Sequence, residues 1–537
     1  MLSVERTPVL IVGGGLVGLS AALFLQYHGV GFMLAERRDR PAVLPRSRGV
    51  HMRTVEMFRQ IGIEDRVQEA GASALKMGAF GGARIGPTML DSQAISIGGA
   101  GAGRARILDT AGESPSRFCF CPQVLLEPVL AGIARERGGD LRFGTELTDF
   151  TQDDDGVSAT VTDRLTGGSA AVRADYLIAA DGGGSQVRRA LGISDWTLPP
   201  TDHYLNLFFR ADLTELVKDR TFSQCEITGG AVRGRMVSKN NTDEWSLHLQ
   251  YDPARENMED YPEQRCAELV RAAVGVPDLA VTVLARSVWD TGVHVADDYR
   301  RGRVFLAGDA AHQHAPWGGF GANTGIADVH NLAWKLASML AGYAGPALLD
   351  TYGPERRPRA VLAAEQARLR TDFMAMYGVR TPENAQTIER QVDTGVIMTR
   401  YRYASLSVGP GQADGEWVDR LAGQAGTRVP HVWLGAGERQ VSTLDLCGPG
   451  FALLAGADGD RWRLAAETVR SETGLDIAVH EIGPASELAD PDGAWLEQTA
   501  LPADGAMLVR PDQHVAARSD QGLRPDTLAP VLHSLLG

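Results

Sequence analysis

Val9-Leu10-Ile11-Val12-Gly13-Gly14-Gly15-Leu16-Val17-Gly18 decides the fold: a short apolar run of β type enters a glycine cluster, and an apolar helical stretch follows as far as Gly29. A second run, Gly31-Phe32-Met33-Leu34-Ala35, ends at Glu36, 18 residues beyond Gly18. Together these predict the βαβ unit of a Rossmann-like α/β domain. Gly13, Gly15 and Gly18 permit a tight turn and let a pyrophosphate approach the start of the helix, where free N–H groups and the helix dipole favour negative charge. Glu36 can accept hydrogen bonds from ribose hydroxyls. The unit predicts an ADP-containing ligand and leaves open whether that ligand is NAD or FAD.

Two later segments point at the same crevice. Ala174-Asp175-Tyr176-Leu177-Ile178-Ala179-Ala180 predicts a strand that ends at Asp181-Gly182, and Arg303-Val304-Phe305-Leu306-Ala307 predicts a buried strand that ends at Gly308-Asp309. Ligands of open α/β sheets lie outside the carboxyl ends of the strands, so Asp309 can share a site with the first turn. Pro316-Trp317-Gly318-Gly319-Phe320-Gly321-Ala322-Asn323 precedes a helix with Ile326, Val329, Ala333 and Leu336 at helical spacing. Backbone amides at that helix start would stabilise an anion, and a reduced flavin is one.

Between about 195 and 295, segments such as Leu205 to Phe209 and Trp245 to Tyr251 alternate, predicting an antiparallel sheet with one wet face. Either alternating subset of Trp245, His248, Gln250 and Tyr251 could face a ligand. Gly409-Pro410-Gly411-Gln412 reads as a linker, and βαβ-like material follows it. The expected division is 1–194 and 297–404 for a cofactor domain, 195–296 for an inserted substrate sheet, and 405–537 for a third domain.

Composition bounds the partners. Of 537 residues, 53 are Lys or Arg and 67 Asp or Glu, a formal charge of −14, so no global positive field draws in nucleic acid or anionic lipid. No run approaches the ~18 consecutive apolar residues of a membrane span, and the N-terminus carries no signal-peptide pattern. Cys119, Cys121, Cys225, Cys266 and Cys447 form no CxxC pair, which fits a reducing compartment; a cytoplasmic protein is expected. His312 and His314 lack further metal ligands at a recognisable spacing, so no metal is expected, though an imidazole could serve as an acid or base. Gly98 to Gly103 reads as a loop, and Asp153-Asp154-Asp155-Gly156 as a hairpin turn. No nucleophile elbow or phosphate-binding loop ending in Gly-Lys-Ser/Thr supports a hydrolase or triphosphatase.

Gly13 to Gly18, Asp181-Gly182-Gly183-Gly184-Ser185-x-Val187-Arg188 and Gly308-Asp309 resemble, in order and spacing, the three fingerprints of class A flavin-dependent aromatic hydroxylases, typified by para-hydroxybenzoate hydroxylase. The stretch from Gly318 to Leu336, with Tyr352-x-x-Glu355-Arg356-x-Pro358, is similar to the branch acting on bacterial aromatic polyketides. The resemblance implies FAD held by Gly13, Gly15, Gly18, Glu36, Arg37, Arg46, Gln123, Asp181, Gly182, Asp309, Gly319, Gly321, Ala322 and Asn323. Pro316, Trp317 and His312 are the catalytic candidates; Ala315-Pro316-Trp317 departs from the consecutive prolines of many relatives. The implied activity is hydroxylation of a polycyclic aromatic polyketide or related phenol with O2, through a flavin C4a-hydroperoxide, NADPH or NADH serving as a transient co-substrate. Baeyer–Villiger insertion or oxidative ring rearrangement on the same scaffold, and an FAD-holding accessory protein without turnover, are the alternatives. The resemblance also implies a thioredoxin-like C-terminal domain, here without CxxC, in a monomer or homodimer.

Overall fold

The apolar run at Val9, Leu10 and Ile11 is fully buried because it forms the middle of a sheet covered on both faces. The structure, a computed structural model, describes residues 4–41, 47–72, 82–95, 112–230, 232–405 and 416–537. Arg46, the Gly98–Gly103 loop and the Gly409–Gln412 linker lie outside the described residues. β1 (Val4–Val12), α1 (Leu16–Tyr27) and β2 (Phe32–Glu36) make the expected βαβ unit, with Val9 opposite Phe32 and Ile11 opposite Leu34 in parallel register. β3 (Ser169–Ala179) runs parallel to β1 on its other side, and β4 (Val304–Leu306) runs parallel to β3. Three strands from distant parts of the chain therefore end at one edge. Gly13 has φ +107°, and a Cβ there would stand 2.2 Å from the carbonyl oxygen of Ala180. Only glycine lets these strand ends approach so closely.

A seven-stranded sheet forms the second layer, centred on His203–Arg210 and Glu244–Gln250 in antiparallel register. It reaches beyond the 195–296 boundaries: Ala83–Gly86 joins it in parallel beside Gln224–Ile227, and Gln93–Ala94 closes that edge. Leu205, Leu207, Phe209, Trp245, Leu247 and Leu249 point to one face and bury against the helix Glu263–Val274. The opposite face carries Tyr204, Asn206, His248 and Arg235 toward the first domain. Alternation left two faces possible, and this one, with His248 and Gln250, is the ligand-side candidate. Trp245 lies in the core behind it, its indole N–H donating to Ala211 O at 3.0 Å.

The chain then returns to the first domain through β4 and through α2 (Phe320–Leu340), a helix buried on all sides as far as Leu336, and α3 (Tyr352–Arg368). A third unit contains a mixed seven-stranded sheet. At its centre Phe451–Ala455 and Ile477–Gly483 run parallel with the helix Asp460–Thr473 between them; antiparallel Ala506–Val509 and Val515–Arg518 and the helix Leu528–Leu536 complete it. It is wired to the first domain by buried charges. Arg510 donates to Glu355 of α3 at 2.7 and 3.0 Å, and Lys335 of α2 donates to the same carboxylate at 2.7 Å. Burial opposes the charge of Glu355, but Arg510 and Lys335 hold the carboxyl far below its ordinary range. All five cysteines are buried and free, and no described helix is long and apolar enough to cross a membrane.

Candidate active site

The converging strand ends border an open-sided cavity of about 1070 Å³. Gly13 and Gly15 form one wall, Glu36 and Arg37 the far end, and Gln123 a side. Asp181 and Gly182 enter from the end of β3 and Asp309 from the end of β4, while Pro316, Gly319, Gly321 and Ala322 close the near end at the start of α2. Eleven of the expected cofactor residues thus border one space, together with one catalytic candidate, Pro316. Gly18 lies behind the wall, where a Cβ would stand 1.9 Å from Gly13 O; its part is to let α1 pack on the turn.

Glu36 is 5% exposed and accepts from the amides of Gly14 (2.6 Å) and Arg38 (2.8 Å) and from Arg38 Nε (2.8 Å). Burial disfavours its charge, but these hydrogen bonds outweigh it and keep the carboxyl below its usual range. Asp181 Oδ2 caps the helix Gln186–Ala190 by accepting from Gln186 N at 2.9 Å, whereas its Oδ1 is buried with no partner. That oxygen is an acceptor left for a donor at the cavity wall.

The Gly308-Asp309 turn is anchored from α2. Asp328 Oδ2 accepts from Gly308 N (3.1 Å) and His312 Nε2 (2.9 Å), and Oδ1 accepts from Arg356 Nε (2.9 Å). Burial raises the Asp328 carboxyl, but His312 and Arg356 more than compensate and keep it below its ordinary value. His312, 1% exposed, is committed to this anchor and does not border the cavity. Gly308 has φ +59°, and a Cβ on it or on Gly325 would meet Val17 Cγ2 at 2.7 Å, so α1, the turn and α2 close on one another around a single valine. Asn323 also stands back from the cavity: it donates to Gly319 O at 2.7 Å and accepts from His51 N and Thr54 Oγ1 at 2.8 and 2.6 Å. It positions the turn that Gly319 lends to the cavity. Asp328, His51 and Thr54 were not singled out as site residues from the sequence; only Asp328 lay inside a quoted motif.

The loop between these anchors carries His314 and Trp317. His314 borders the cavity; its Nδ1 donates to Ala315 O at 2.8 Å, leaving a buried, unpartnered lone pair on Nε2. Burial pushes this imidazole down to about 4, so it is neutral at pH 7. Trp317 turns the other way, to the sheet face, and is 4% exposed. Its ring lies 4.1 Å from the Arg235 guanidinium carbon and packs edge-on to Trp289 at 5.7 Å.

Residues 6–367 match the family model described as FAD binding domain, and residues 422–537 match the one described as aromatic-ring hydroxylase, C-terminal. The chain belongs to the class A flavin-dependent aromatic hydroxylases. It is 40% identical over 552 residues to the tetracenomycin A2 monooxygenase-dioxygenase of Streptomyces glaucescens, spanning 100% of this chain and 97% of that one. It is 36% identical to the aklavinone 12-hydroxylase RdmE of Streptomyces purpurascens, with 99% of each chain covered. Among solved structures, a ternary complex of aklavinone-11 hydroxylase with FAD and aklavinone superposes with a TM-score of 0.88 at 34% identity, covering 100% of both chains.

The site of this hydroxylase fits FAD on its own chemistry. The cavity volume lies just above the ~300–1000 Å³ usual for small-molecule sites, room for an extended cofactor. The glycine turn supplies close backbone approach, the start of α2 supplies a positive end for an anionic ring, and the unpartnered Oδ1 of Asp181 awaits a donor such as a sugar hydroxyl.

Proposed function

We propose that this chain is an FAD monooxygenase that hydroxylates a planar aromatic polyketide or related phenol, with O2 and a transiently bound NADPH or NADH as co-substrates. The observation that carries the reading is the juxtaposition at Pro316. On one side the cofactor cavity ends against the first turn of α2; on the other, the sheet face presents Tyr204, Trp289 and His248 around Trp317. Relatives named for tetracenomycin and aklavinone substrates support the substrate class.

When bound, FAD supplies the acceptance of hydride and the reaction with oxygen. The chain holds its two ends: we assign ribose recognition to Glu36, the pyrophosphate to Gly13 and Gly15, and the sugar-chain region to Asp309 and Asp181. Gly319, Gly321 and Ala322 would bring the positive end of α2 to a bound flavin, an end suited to the negative charge of its reduced form. His314, neutral and with Nε2 open, can accept a proton-bearing group there but holds little charge at neutral pH. The seven-stranded sheet, packed around Trp317 beside the cavity, would shield a bound flavin ring from water. We read the parallel β-α-β centre of the third unit, with its antiparallel pair and closing helix, as a thioredoxin-like core whose lone Cys447 does no dithiol chemistry. Five buried free thiols are in keeping with work in the cytoplasm.

The test is the visible spectrum of the purified protein, followed anaerobically with NADPH and then NADH, with and without polycyclic phenols. Bleaching of the bound flavin that quickens with one phenol supports the reading. A fully loaded protein that no nicotinamide nucleotide reduces with any phenol overturns it in favour of a non-catalytic carrier.

A further inference from the structure

The aromatic box around Trp317 is incomplete as it stands. Three polar atoms in it are buried and lack partners: Trp317 Nε1, Arg235 Nη1 and Asn206 Oδ1. Asn206, His248 and Arg235 sit side by side across neighbouring strands of one sheet face, and the Trp317 ring packs over Arg235 and against His248 on that face. Buried polar groups of a settled core are nearly always paired. A cluster of orphans around one removable ring marks a slot built for a ligand that brings both a plane and polar edges.

The remaining partners define the ligand's charge. The Arg235 guanidinium is stacked between Trp317 and Phe373, 4.1 and 4.8 Å from the ring centres, and spends Nε on Glu226 (2.9 Å) and Nη2 on Thr371 O (3.1 Å). Its open Nη1 is a charged donor in a dry place. His248 is no competing cation: burial, with Lys239, Arg235 and Arg48 nearby, pushes it down to about 3, and its Nδ1 accepts from Trp289 Nε1 at 3.2 Å. The loop that carries the indole has two glycines on its C-terminal side, with Gly318 O accepting from His51 Nε2 at 3.0 Å. Trp317 is followed by Gly318 at φ +88° and Gly319 at φ +70°, two residues that reach such angles without strain, and Gly319 is pinned to α2 by Asn323.

We propose that the Trp317 indole is a displaceable plug that occupies the place of the substrate's ring, and that a planar fused-ring phenol carrying an anionic oxygen takes the slot, with that oxygen on Arg235. The proposal rests on the monooxygenase reading and narrows it to anionic substrates. Stacking on Arg235, with Tyr204 and Trp289 at the edges, accepts any flat ring of this size. The guanidinium then selects for charge. Trp317 sets the threshold: a ligand enters only if its contacts exceed those the indole gives up.

The test uses FAD-loaded protein containing 5-fluorotryptophan, titrated with a dihydroxyanthraquinone carboxylate and with its uncharged carboxamide. The Trp317 resonance is assigned by its loss in Trp317→Phe, a variant that keeps a ring in the box. Binding of the carboxylate should shift that resonance, and the carboxylate should bind about tenfold more tightly than the carboxamide, the scale of one charge-assisted hydrogen bond. Arg235→Gln should abolish that preference, and Trp317→Ala should tighten binding of both probes. A Trp317 resonance unmoved at saturation, an undiminished preference in Arg235→Gln, or no binding of either probe to the wild-type protein overturns the proposal. Flavin bleaching by NAD(P)H, measured in parallel, separates the two readings: a protein reduced normally with an immobile Trp317 refutes the plug and leaves the monooxygenase standing.

Discussion

Replacing Asp328 by Asn tests whether the third fingerprint is held from behind. The carboxylate serves three donors at once, Gly308 N, His312 Nε2 and Arg356 Nε, at 3.1, 2.9 and 2.9 Å. An amide of the same shape has one acceptor oxygen and must turn its NH2 toward either Arg356 or the Gly308–His312 side. Arg356, 1% exposed, would then lose its carboxylate and keep only Tyr403 OH and Thr324 O. Breaking a buried ion pair by removing one partner costs about 3–5 kcal/mol. Part of that falls on the turn: the Gly308 N–H bond to a charged acceptor is worth about 1.5–3 kcal/mol, and each ~1.4 kcal/mol is tenfold in affinity. Urea unfolding followed by circular dichroism should show the full loss, and titration of the flavin-free protein with FAD, read by flavin fluorescence, should show binding weakened at least about tenfold. Wild-type FAD affinity in a destabilised Asp328→Asn protein would refute the reasoning, because the turn would then be positioned by something other than this carboxylate.

Gly15 and Gly18 should separate binding from folding. A Cβ at Gly15 meets nothing closer than Glu127 Oε1 at 3.6 Å, and its backbone is extended, so Gly15→Val should fold with a wild-type circular dichroism spectrum yet purify colourless; a yellow Gly15→Val protein would remove the glycine turn from the cofactor site. Gly18→Ala, whose Cβ would stand 1.9 Å from Gly13 O, should instead lose stability as well as flavin, measured by thermal melting. Acid should weaken the fold well before carboxylates protonate. His51 and His314 are pushed down to about 4 by burial, so the unfolded chain takes up protons below its ordinary histidine value of ~6.5 while the folded chain does not. Stability should fall as pH drops from about 6.5 to about 4, by on the order of 3 kcal/mol for His51 alone. Asp328 acts in a lower window, its contribution present above the ordinary aspartate value of ~3.9 and lost only beneath it. A flat urea midpoint between pH 6.5 and 4.5 would contradict the histidine part.

The parts legible in the sequence are those whose signal is local. The β1-α1-β2 unit, the strand ends at Asp181 and Asp309, and the glycines of the α2 start each announce themselves within a few residues, because period, turn chemistry and a terminal carboxylate are short-range properties. What could not be read is what closes over distance. The strand Ala83–Gly86 has no alternation strong enough to assign it to a sheet, and it pairs there because Gln224–Ile227 offers an open edge. Asp328 stood in a quoted motif, but nothing near it shows that its charge is spent on Gly308, 20 residues away. His312 read as a chemical group because it follows Asp309; its neighbour in space is Asp328, and that makes it part of the frame. Alternation named His248 and Trp245 alike, and only the packing of Glu263–Val274 against one face decided between them.

Glu355 draws its balancing charges from two separate stretches of the polypeptide, Lys335, 20 residues before it, and Arg510, 155 residues after it. During synthesis, the flavin-binding half therefore emerges with a buried carboxylate short of one cation and with Trp334 still missing Phe451, the ring it meets edge-on at 5.9 Å. Completion of that half waits on strands some 155 residues further along the chain, so a polypeptide interrupted before Arg510 would carry all three flavin fingerprints with Glu355 short of a cation and Trp334 short of its ring partner.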